Sequence, residues 1–229
     1  MAAGQALDQQ PGPGLRAKKK RRDRLIALAG RHADWALGFQ DEVWFSRLAL
    51  PTARAWQGQA GAGPGGPGPV RLTQRPPDRG DPEPKALSCY GLLRHDGAAA
   101  GRMHLRLVDG RPVSGVTTQF LGWLAQCLAS EGRSALVLFW DNASWHISSE
   151  VRLWLRGHNR RVKSEGGCRL LACFLPSKSP WLNAIEPRWV HGKRATLEPG
   201  RKLSVAETQR RICDYYGCER LEPLAQQVA

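Results

Sequence analysis

The sequence has few of the features that a membrane protein or an exported protein needs. No stretch approaches the roughly eighteen consecutive apolar residues of a membrane-spanning helix. The first residues lack the apolar run of a signal peptide, so we expect no secretion. The six cysteines form no C-x-x-C pair, and without an export signal they have no oxidising environment in which to form disulfides. We therefore expect reduced thiols, several of them in the core.

Acidic side chains are also scarce relative to basic ones. Lys and Arg number 34 against 20 Asp and Glu, which gives a formal net charge of +14. That balance favours a polyanionic partner, with nucleic acid ahead of a membrane surface. Hydrophobic residues make up 41% of the 229 positions, enough for one domain with a buried core.

Much of the positive charge lies near the N-terminus. Residues 16–24 read RAKKKRRDR, with seven bases and one acid. Such a run is typical of a solvated, flexible arm, and we predict a disordered basic arm over residues 1–31. The sharper interpretation is an arm that neutralises DNA phosphates with little choice of sequence. The side chains for these contacts would be Lys18, Lys19, Lys20, Arg21 and Arg22.

Glycine and proline mark one long interruption of the chain. Residues 57–84 contain seven Gly and seven Pro, a density that predicts an irregular loop. The block before the loop, residues 25–56, is too short to bury a core alone. We therefore place the loop inside one domain over residues 32–220, followed by a C-terminal tail at 221–229.

Hydrophobic periodicity and chain breakers predict the order of the elements. Strands are predicted at 34–48, 85–96, 101–110, 135–140 and 168–175. Helices are predicted at 114–132, at 144 to about 163, from about 183, and at 204–216. An early meander followed by alternating strands and helices predicts an α/β fold with a mixed five-stranded sheet and helices on both faces.

Three acidic residues fall where this order makes metal chemistry plausible. Asp41 lies within the first strand, Asp141 ends the apolar strand ALVLFW, and Glu186 opens a helix. Adjacent parallel strands can bring the first two carboxylates together, and a helix above the sheet edge can add the third. Hard cations such as Mg²⁺ prefer such oxygen ligands, and two of them can promote attack on a phosphodiester.

Each acid also has an ordinary structural interpretation. Asp41 could be an exposed strand residue. The adjacent Glu42 illustrates that a single carboxylate in a strand does not by itself indicate a functional site. Asp141 could cap a turn or the next helix. Glu186, three residues after Asn183, fits a capping box.

For several other polar residues, too, the sequence allows both a functional and a structural role. His146 lies five positions after Asp141, where it could contact the site or serve as a structural residue. A basic stripe could contact DNA or be the solvated face of a helix. Its members are Arg152, Arg156, Arg160 and Lys163.

Four strings of the sequence together carry a family resemblance. They are FQDEVWFSRLALP, CYGLLR, VLFWDNASWH and LPSKSPWLNAIEPRWVHGKR. In this order they resemble the catalytic domain of mariner-type bacterial insertion-sequence transposases. These enzymes belong to the DDE superfamily of endonucleases and have a ribonuclease-H-like fold. The resemblance covers about residues 32–220.

The resemblance implies a role for each matching residue. It implies that Asp41, Asp141 and Glu186 bind two divalent ions, Mg²⁺ or alternatively Mn²⁺. The family uses this triad to cut DNA at transposon ends and to join the freed 3′-hydroxyl to target DNA. By the same resemblance, one group of residues shapes the site: Asn142, His146, Asn183 and Trp189. A second group lies where it would meet phosphate: Arg188, Lys193 and Arg194.

The chain departs from the family pattern at its N-terminus. Family members begin with helix-turn-helix domains, whereas only about thirty residues precede the catalytic block here. We therefore expect a separate helix-turn-helix polypeptide to supply recognition of transposon ends, and a homodimer is compatible with the resemblance. The expected location is the bacterial cytoplasm, at the nucleoid and away from membranes. The alternatives are an inactive remnant that binds DNA non-specifically and, less favoured, a ribonuclease acting on RNA–DNA hybrids.

Overall fold

Strands come first in the chain and alternate with helices later, as the periodicity predicts. The structure is a computed structural model that describes residues 13–48, 54–56, 69–71, 80–176, 179–198 and 201–226. The strands are β1 Trp35–Ser46, β2 Arg54–Trp56, β3 Pro69–Arg71, β4 Ala86–Arg94, β5 Met103–Asp109, β6 Ala135–Trp140, β7 Arg169–Phe174 and β8 Leu224–Ala225. The α-helices are α1 Pro13–Ala29, α2 Ser114–Ser130, α3 Ser144–Ile147, α4 Ser149–Glu165, α5 Glu186–Thr196 and α6 Val205–Tyr216.

One mixed sheet organises the domain. Its six strands lie in the order β7-β6-β1-β4-β5-β8. The meander β1, β4 and β5 is antiparallel, whereas β6 is parallel to both β1 and β7. In the parallel register Phe39 pairs with Phe139, so β1 and β6 run side by side toward the same sheet edge. Ligand sites collect at such carboxyl ends of parallel strands.

Two hydrophobic cores cover the two faces of the sheet. Helices α1, α5 and α6 cover one face, where Phe39 and Trp189 are buried. Helices α2 and α4 cover the other face, where Leu138 and Phe120 are buried. All six residues of β6 are buried, because this strand has helices above and below it. The prediction of a mixed sheet with helices on both faces is confirmed.

The prediction of a disordered arm over residues 1–31 is wrong for residues 13–29, which form α1. Lys, Arg, Ala and Leu are good helix formers, so the basic run has no local reason to avoid a helix. The end of the helix is held because Leu25, Ile26 and Ala29 pack against the core. Residues 1–12 lie outside the part of the chain that the structure describes.

The predicted count of five strands is also wrong, because the C-terminal tail contributes a sixth. Leu224 pairs with Val108 in parallel, which makes β8 a short edge strand beside β5. Arg106 supports this segment by donating a hydrogen bond to the carbonyl oxygen of Glu222 at 2.6 Å. A two-residue strand carries too little periodicity to be recognised in a sequence.

Two other predicted elements differ in detail. The Gly/Pro-rich loop contains β3, which pairs with β2 at Ala55 and Val70; most of the loop lies outside the described residues. The helix predicted from 144 to about 163 is two helices. Ser148 is extended between them (φ −59°, ψ 155°), and its hydroxyl accepts a hydrogen bond from the N–H of Val151 as the cap of α4.

None of the helices in the described ranges is long and apolar enough to cross a membrane.

A glycine in β4 sets how closely α5 approaches the sheet. Gly91 pairs with Asp41 across β1 and β4. A Cβ atom at Gly91 would lie 2.3 Å from the Cη2 atom of Trp189 and 3.3 Å from the Cδ1 atom of Ile185. Both neighbours are buried, so the indole lies against the strand in space that only glycine leaves open.

We expect Gly91→Ala to destabilise the domain by about 1–3 kcal/mol, because the added methyl group must displace a buried indole. Chemical denaturation measures this loss. Gly157→Ala is the matched control, since nothing lies within 4 Å of a Cβ atom there and alanine favours the α4 helix. A Gly91→Ala protein as stable as the control would contradict the close approach.

Candidate active site

The parallel pair β1 and β6 places two of the predicted acids at one sheet edge. Asp41 lies two residues beyond Phe39, and Asp141 lies two residues beyond its partner Phe139. Strand β1 continues past this point, because Asp41 pairs with Gly91 of β4. Asp41 is therefore held by the sheet, whereas Asp141 begins a loop and its side chain is 54% exposed.

Carboxylates surround Asp41. Burial, together with repulsion from Glu42, Glu186 and Asp141, raises the pKa of Asp41 from 3.8 to about 8. Glu186 and Asp141 thus both lie within electrostatic range of the Asp41 carboxyl group. Among the described residues, however, no three His, Cys, Asp or Glu side chains are grouped tightly enough to form a metal site as they stand.

Trp189 and Asn183 fix the geometry on the α5 side of Asp41. The indole N–H of Trp189 donates to the Oδ2 atom of Asp41 at 3.1 Å. The side-chain amide of Asn183 donates to the carbonyl oxygen of Gln40 at 3.2 Å, next to Asp41 in the chain. Both residues are buried, so the segment that leads to Glu186 is attached directly to β1.

The capping-box interpretation of Glu186 is wrong. The residue before α5 is Ile185, which has a helical backbone and makes no side-chain cap. Asn183 does not cap the helix either, because its Oδ1 atom accepts no hydrogen bond while its Nδ2 atom donates to β1. Glu186 is only partly buried and stands in the first turn of α5, with its carboxylate outside any cap.

His146 joins two acids from opposite sides of the site. Its Nδ1 atom lies 2.8 Å from Oδ1 of Asp141, and its Nε2 atom lies 2.8 Å from Oε1 of Glu42. The ring is fully buried and stacks on Trp140 with centroids 4.5 Å apart. Gln40 donates a further hydrogen bond to Oε1 of Glu42 at 2.7 Å.

This network fixes the charge of its members. Burial alone would lower the pKa of His146, but attraction and hydrogen bonds from Glu42 and Asp141 raise it to about 9. An imidazolium with two N–H donors therefore bridges the two carboxylates at neutral pH. Burial would also raise the pKa of Asp141, but hydrogen bonds from His146 and from the N–H of Ala143 lower it. Asp141 is thus kept ionised.

Sequence reasoning dismissed Glu42, which has a clear role in this network. Its side chain is only 7% exposed, although it follows Asp41 directly in the chain. Because side chains alternate along a strand, the two acids point to opposite faces of the sheet. A buried His five residues after the strand-end Asp could have signalled such a partner, but no local pattern says which acid it would meet.

The remaining predicted residues lie around this centre without all touching it. The amide of Asn142 donates to the carbonyl oxygen of Leu175 at 2.7 Å, which ties the end of β6 to the segment after β7. The predicted phosphate contacts on α4 and α5 are exposed: Arg152, Arg156, Arg160, Lys163, Arg188, Lys193 and Arg194. Arg152 also donates to the carbonyl oxygen of Ile147 at 2.8 Å from its Nε atom. Their contacts with DNA stay predictions.

The basic end of α1 approaches the same part of the sheet. Burial raises the pKa of the Cys173 thiol, and the positive charges of Arg21, Arg22 and Lys18 oppose that rise. Cys173 pairs with Phe139, two residues before Asp141. Lys18, Arg21 and Arg22 therefore lie within electrostatic range of the Cys173 thiol on β7.

The bridging role of His146 predicts a pH-dependent contribution to stability. The folded-state pKa lies above the ordinary value of 6.5, so this contribution is fully present below that pH and is lost as pH rises through about 9. His146→Phe keeps a ring on Trp140 but leaves Glu42 buried without its cation. We expect a loss of about 3 kcal/mol at pH 6.5 and a clearly smaller loss at pH 9.5.

Urea denaturation at the two pH values measures the difference. His158→Phe is the matched control, because His158 also stacks on a tryptophan but bonds to the carbonyl oxygen of Cys168. The control should show a smaller loss with little pH dependence. A His146→Phe loss of the same size at both pH values would contradict the charged bridge.

Comparison with known proteins agrees with this architecture. Residues 114–209 match a family model described as DDE superfamily endonuclease, a segment that contains Asp141 and Glu186 but not Asp41. No curated protein sequence matches the chain at a significant level.

Three solved structures are similar to the chain along most of its length. The Mos1 mariner paired-end complex with Mn has a TM-score of 0.60 and 14% identity, covering 96% of this chain and 60% of that chain. The Mos1 transposase paired-end complex with the left transposon end has a TM-score of 0.58 and 15% identity, with 96% and 60% covered. The catalytic domain of Mos1 mariner transposase has a TM-score of 0.54 and 13% identity, with 93% and 85% covered.

These matches define what the chain is similar to. The chain spans about 60% of the length of the Mos1 chains in the two paired-end complexes and 85% of the isolated catalytic domain. At this identity the likeness concerns the fold, and it confirms the predicted ribonuclease-H-like class. The chain therefore has the fold of a mariner transposase catalytic domain, and its residues 114–209 are similar to the DDE superfamily endonuclease model.

Proposed function

We propose that this chain is a transposase catalytic domain that cleaves DNA at transposon ends and transfers the freed strand to target DNA with the help of divalent cations. One observation carries the proposal. A partly buried Asp41 lies within electrostatic range of three further carboxylates, and its burial, with their repulsion in second place, raises its pKa to about 8. Such crowding of like charge is unfavourable for an empty site and suits a site that binds cations.

The residues at this edge fit Mg²⁺ or Mn²⁺. Asp41, Asp141 and Glu186 offer carboxylate oxygens, which both ions prefer. The buried Oδ1 atom of Asn183 has no hydrogen-bond partner within the protein, and the amide of this residue bonds to Gln40 next to Asp41 in the chain. A bound divalent cation would supply Lewis-acid stabilisation for the charge that develops on the phosphate during cleavage.

The protein's own side chains would position this chemistry. Trp189 holds one oxygen of Asp41 through its indole N–H, which leaves the other oxygen for a cation. The His146 imidazolium holds Asp141 by one oxygen and keeps it ionised. Asn183 attaches the segment before Glu186 to β1, so the third acid cannot drift from the first two. Asp41 and Asp141 are thus each oriented by a buried partner.

Positive charge around the acidic edge would hold the DNA. The net charge of +14 opposes the local negative charge of the acids and attracts phosphates from a distance. The exposed bases on α4 and α5 and the basic end of α1 offer separate surfaces for the backbone. Binding through such contacts weakens steeply as salt concentration rises.

Two further features belong to the proposal. The chain spans about 60% of the Mos1 chains in paired-end complexes, so recognition of ends by a separate helix-turn-helix polypeptide and formation of a homodimer stay predictions. A bacterial location at the nucleoid likewise stays a prediction.

Asp141→Asn tests the proposed activity. The substitution keeps an oxygen that can accept from His146 and Ala143, so folding and DNA affinity should be largely unchanged. It removes the negative charge, so nicking and strand joining with Mg²⁺ or Mn²⁺ should fall by at least about 100-fold. The assay uses DNA that carries the transposon ends. Asp214→Asn, an exposed acid on α6, is the control. Equal metal-dependent activity in the parent and Asp141→Asn would reject the assignment.

The rival function is DNA binding without catalysis. The absence of a preformed three-ligand metal group among the described residues is the observation that favours it. Calorimetric titration with Mn²⁺ separates the two: a competent site binds the ion, and Asp41→Ala abolishes the binding. Absence of Mn²⁺ binding in the parent, together with salt-sensitive DNA binding, would support the rival.

A further inference from the structure

One tryptophan near the acidic edge is left in solvent. The side chain of Trp181 is 72% exposed, more than any other large apolar side chain of the described residues. Isolated exposed apolar residues are common on protein surfaces. What distinguishes Trp181 is its place in the chain, five residues before Glu186.

The backbone that carries Trp181 is fixed. Residues Pro180–Leu182 form a single 3-10 turn, in which the N–H of Leu182 donates to the carbonyl oxygen of Ser179 at 3.0 Å. Leu182 packs against the core, and Asn183 is buried and bonded to Gln40. Two residues span at most about 7 Å. The indole is therefore attached close to the residue that adjoins Asp41.

The chemistry of the indole ring indicates which kind of ligand it could bind. An exposed aromatic ring offers a π-face on which a nucleobase can stack, and this ring is carried by a turn that is anchored to β1 next to Asp41. Bases within a continuous duplex are already stacked on both faces. The base that could use the indole is therefore unpaired, flipped out or at a duplex end.

We propose that Trp181 stacks on an unpaired base next to the phosphate held at the acidic site, so that the preferred substrate is DNA opened at the cleavage position. The inference rests on the proposed function, because it takes the acidic edge as the place of the phosphate. Beyond the proposed function, the inference specifies that the DNA is locally unpaired, and it names one positioning residue. Trp181 would hold the strand without touching the reacting atoms.

Two duplexes test the proposal by binding alone. One is fully paired, and the other has a central two-base mismatch that contains 2-aminopurine, whose fluorescence falls when it stacks on an aromatic ring. Titrations use Ca²⁺ in place of Mg²⁺, so that no cleavage is needed for the signal. The parent should bind the mismatched duplex about tenfold more tightly than the paired one.

Three variants decide the outcome. Trp181→Ala should lose the tenfold preference and should not quench the 2-aminopurine fluorescence. Trp181→Phe should retain most of the preference and most of the quenching. Leu153→Ala, which truncates an apolar side chain on α4 that is 64% exposed, should behave as the parent. A parent without preference, or a Trp181→Ala protein that keeps it, would overturn the proposal. Because the readout is binding, a failed cleavage assay would overturn the proposed function and leave this result standing.

Discussion

Repulsion among carboxylates at one edge of the sheet is the constraint on which the rest of the site depends. Asp41 lies on an interior strand, partly buried, within reach of the charges of Glu42, Glu186 and Asp141, and its pKa rises to about 8 in consequence. A fold keeps such an arrangement only where other interactions hold each acid in place. The two buried supports are the indole of Trp189 on one face of the sheet and the imidazolium of His146 on the other.

These two supports come from opposite faces of the sheet, so the acidic edge depends on both hydrophobic cores. Alternation along β1 sends Asp41 toward α5 and Glu42 toward His146, so neighbouring acids are stabilised by different cores. Gly91 opens the space for the indole, and Trp140 provides the ring on which the imidazole stacks. A cation bound at this edge would reduce the repulsion among the carboxylates, which the hydrogen bonds of the protein do not remove. Under the proposed function, the basic surfaces outside the site would hold the phosphates that the acids repel.

Much of this could be predicted from the sequence, and the failures have physical reasons. The apolar run 135–140 and Asp141 at its end leave a local pattern of a buried strand, whereas Asp41 and Glu186 were singled out mainly through the family resemblance. Glu42 was missed because its partner His146 is 104 positions away. The capping-box interpretation of Glu186 failed because α5 begins at Glu186 itself, so Asn183 lies too early to cap it, and its amide donates a tertiary hydrogen bond to β1. The basic run was taken for a disordered arm, whereas three apolar residues at its end hold it as a helix.

The state of the Asp41 carboxyl group tests this account most directly. NMR titration of its side-chain carbon, assigned with Asp41→Asn, reports the pKa without divalent cation and again with saturating Mg²⁺. The account predicts a pKa near 8 without the ion and a value well below 7 with it, because a bound cation favours the ionised form. A carboxyl group that titrates near its ordinary value of 3.8 under both conditions would contradict the crowding of charge from which the function is inferred.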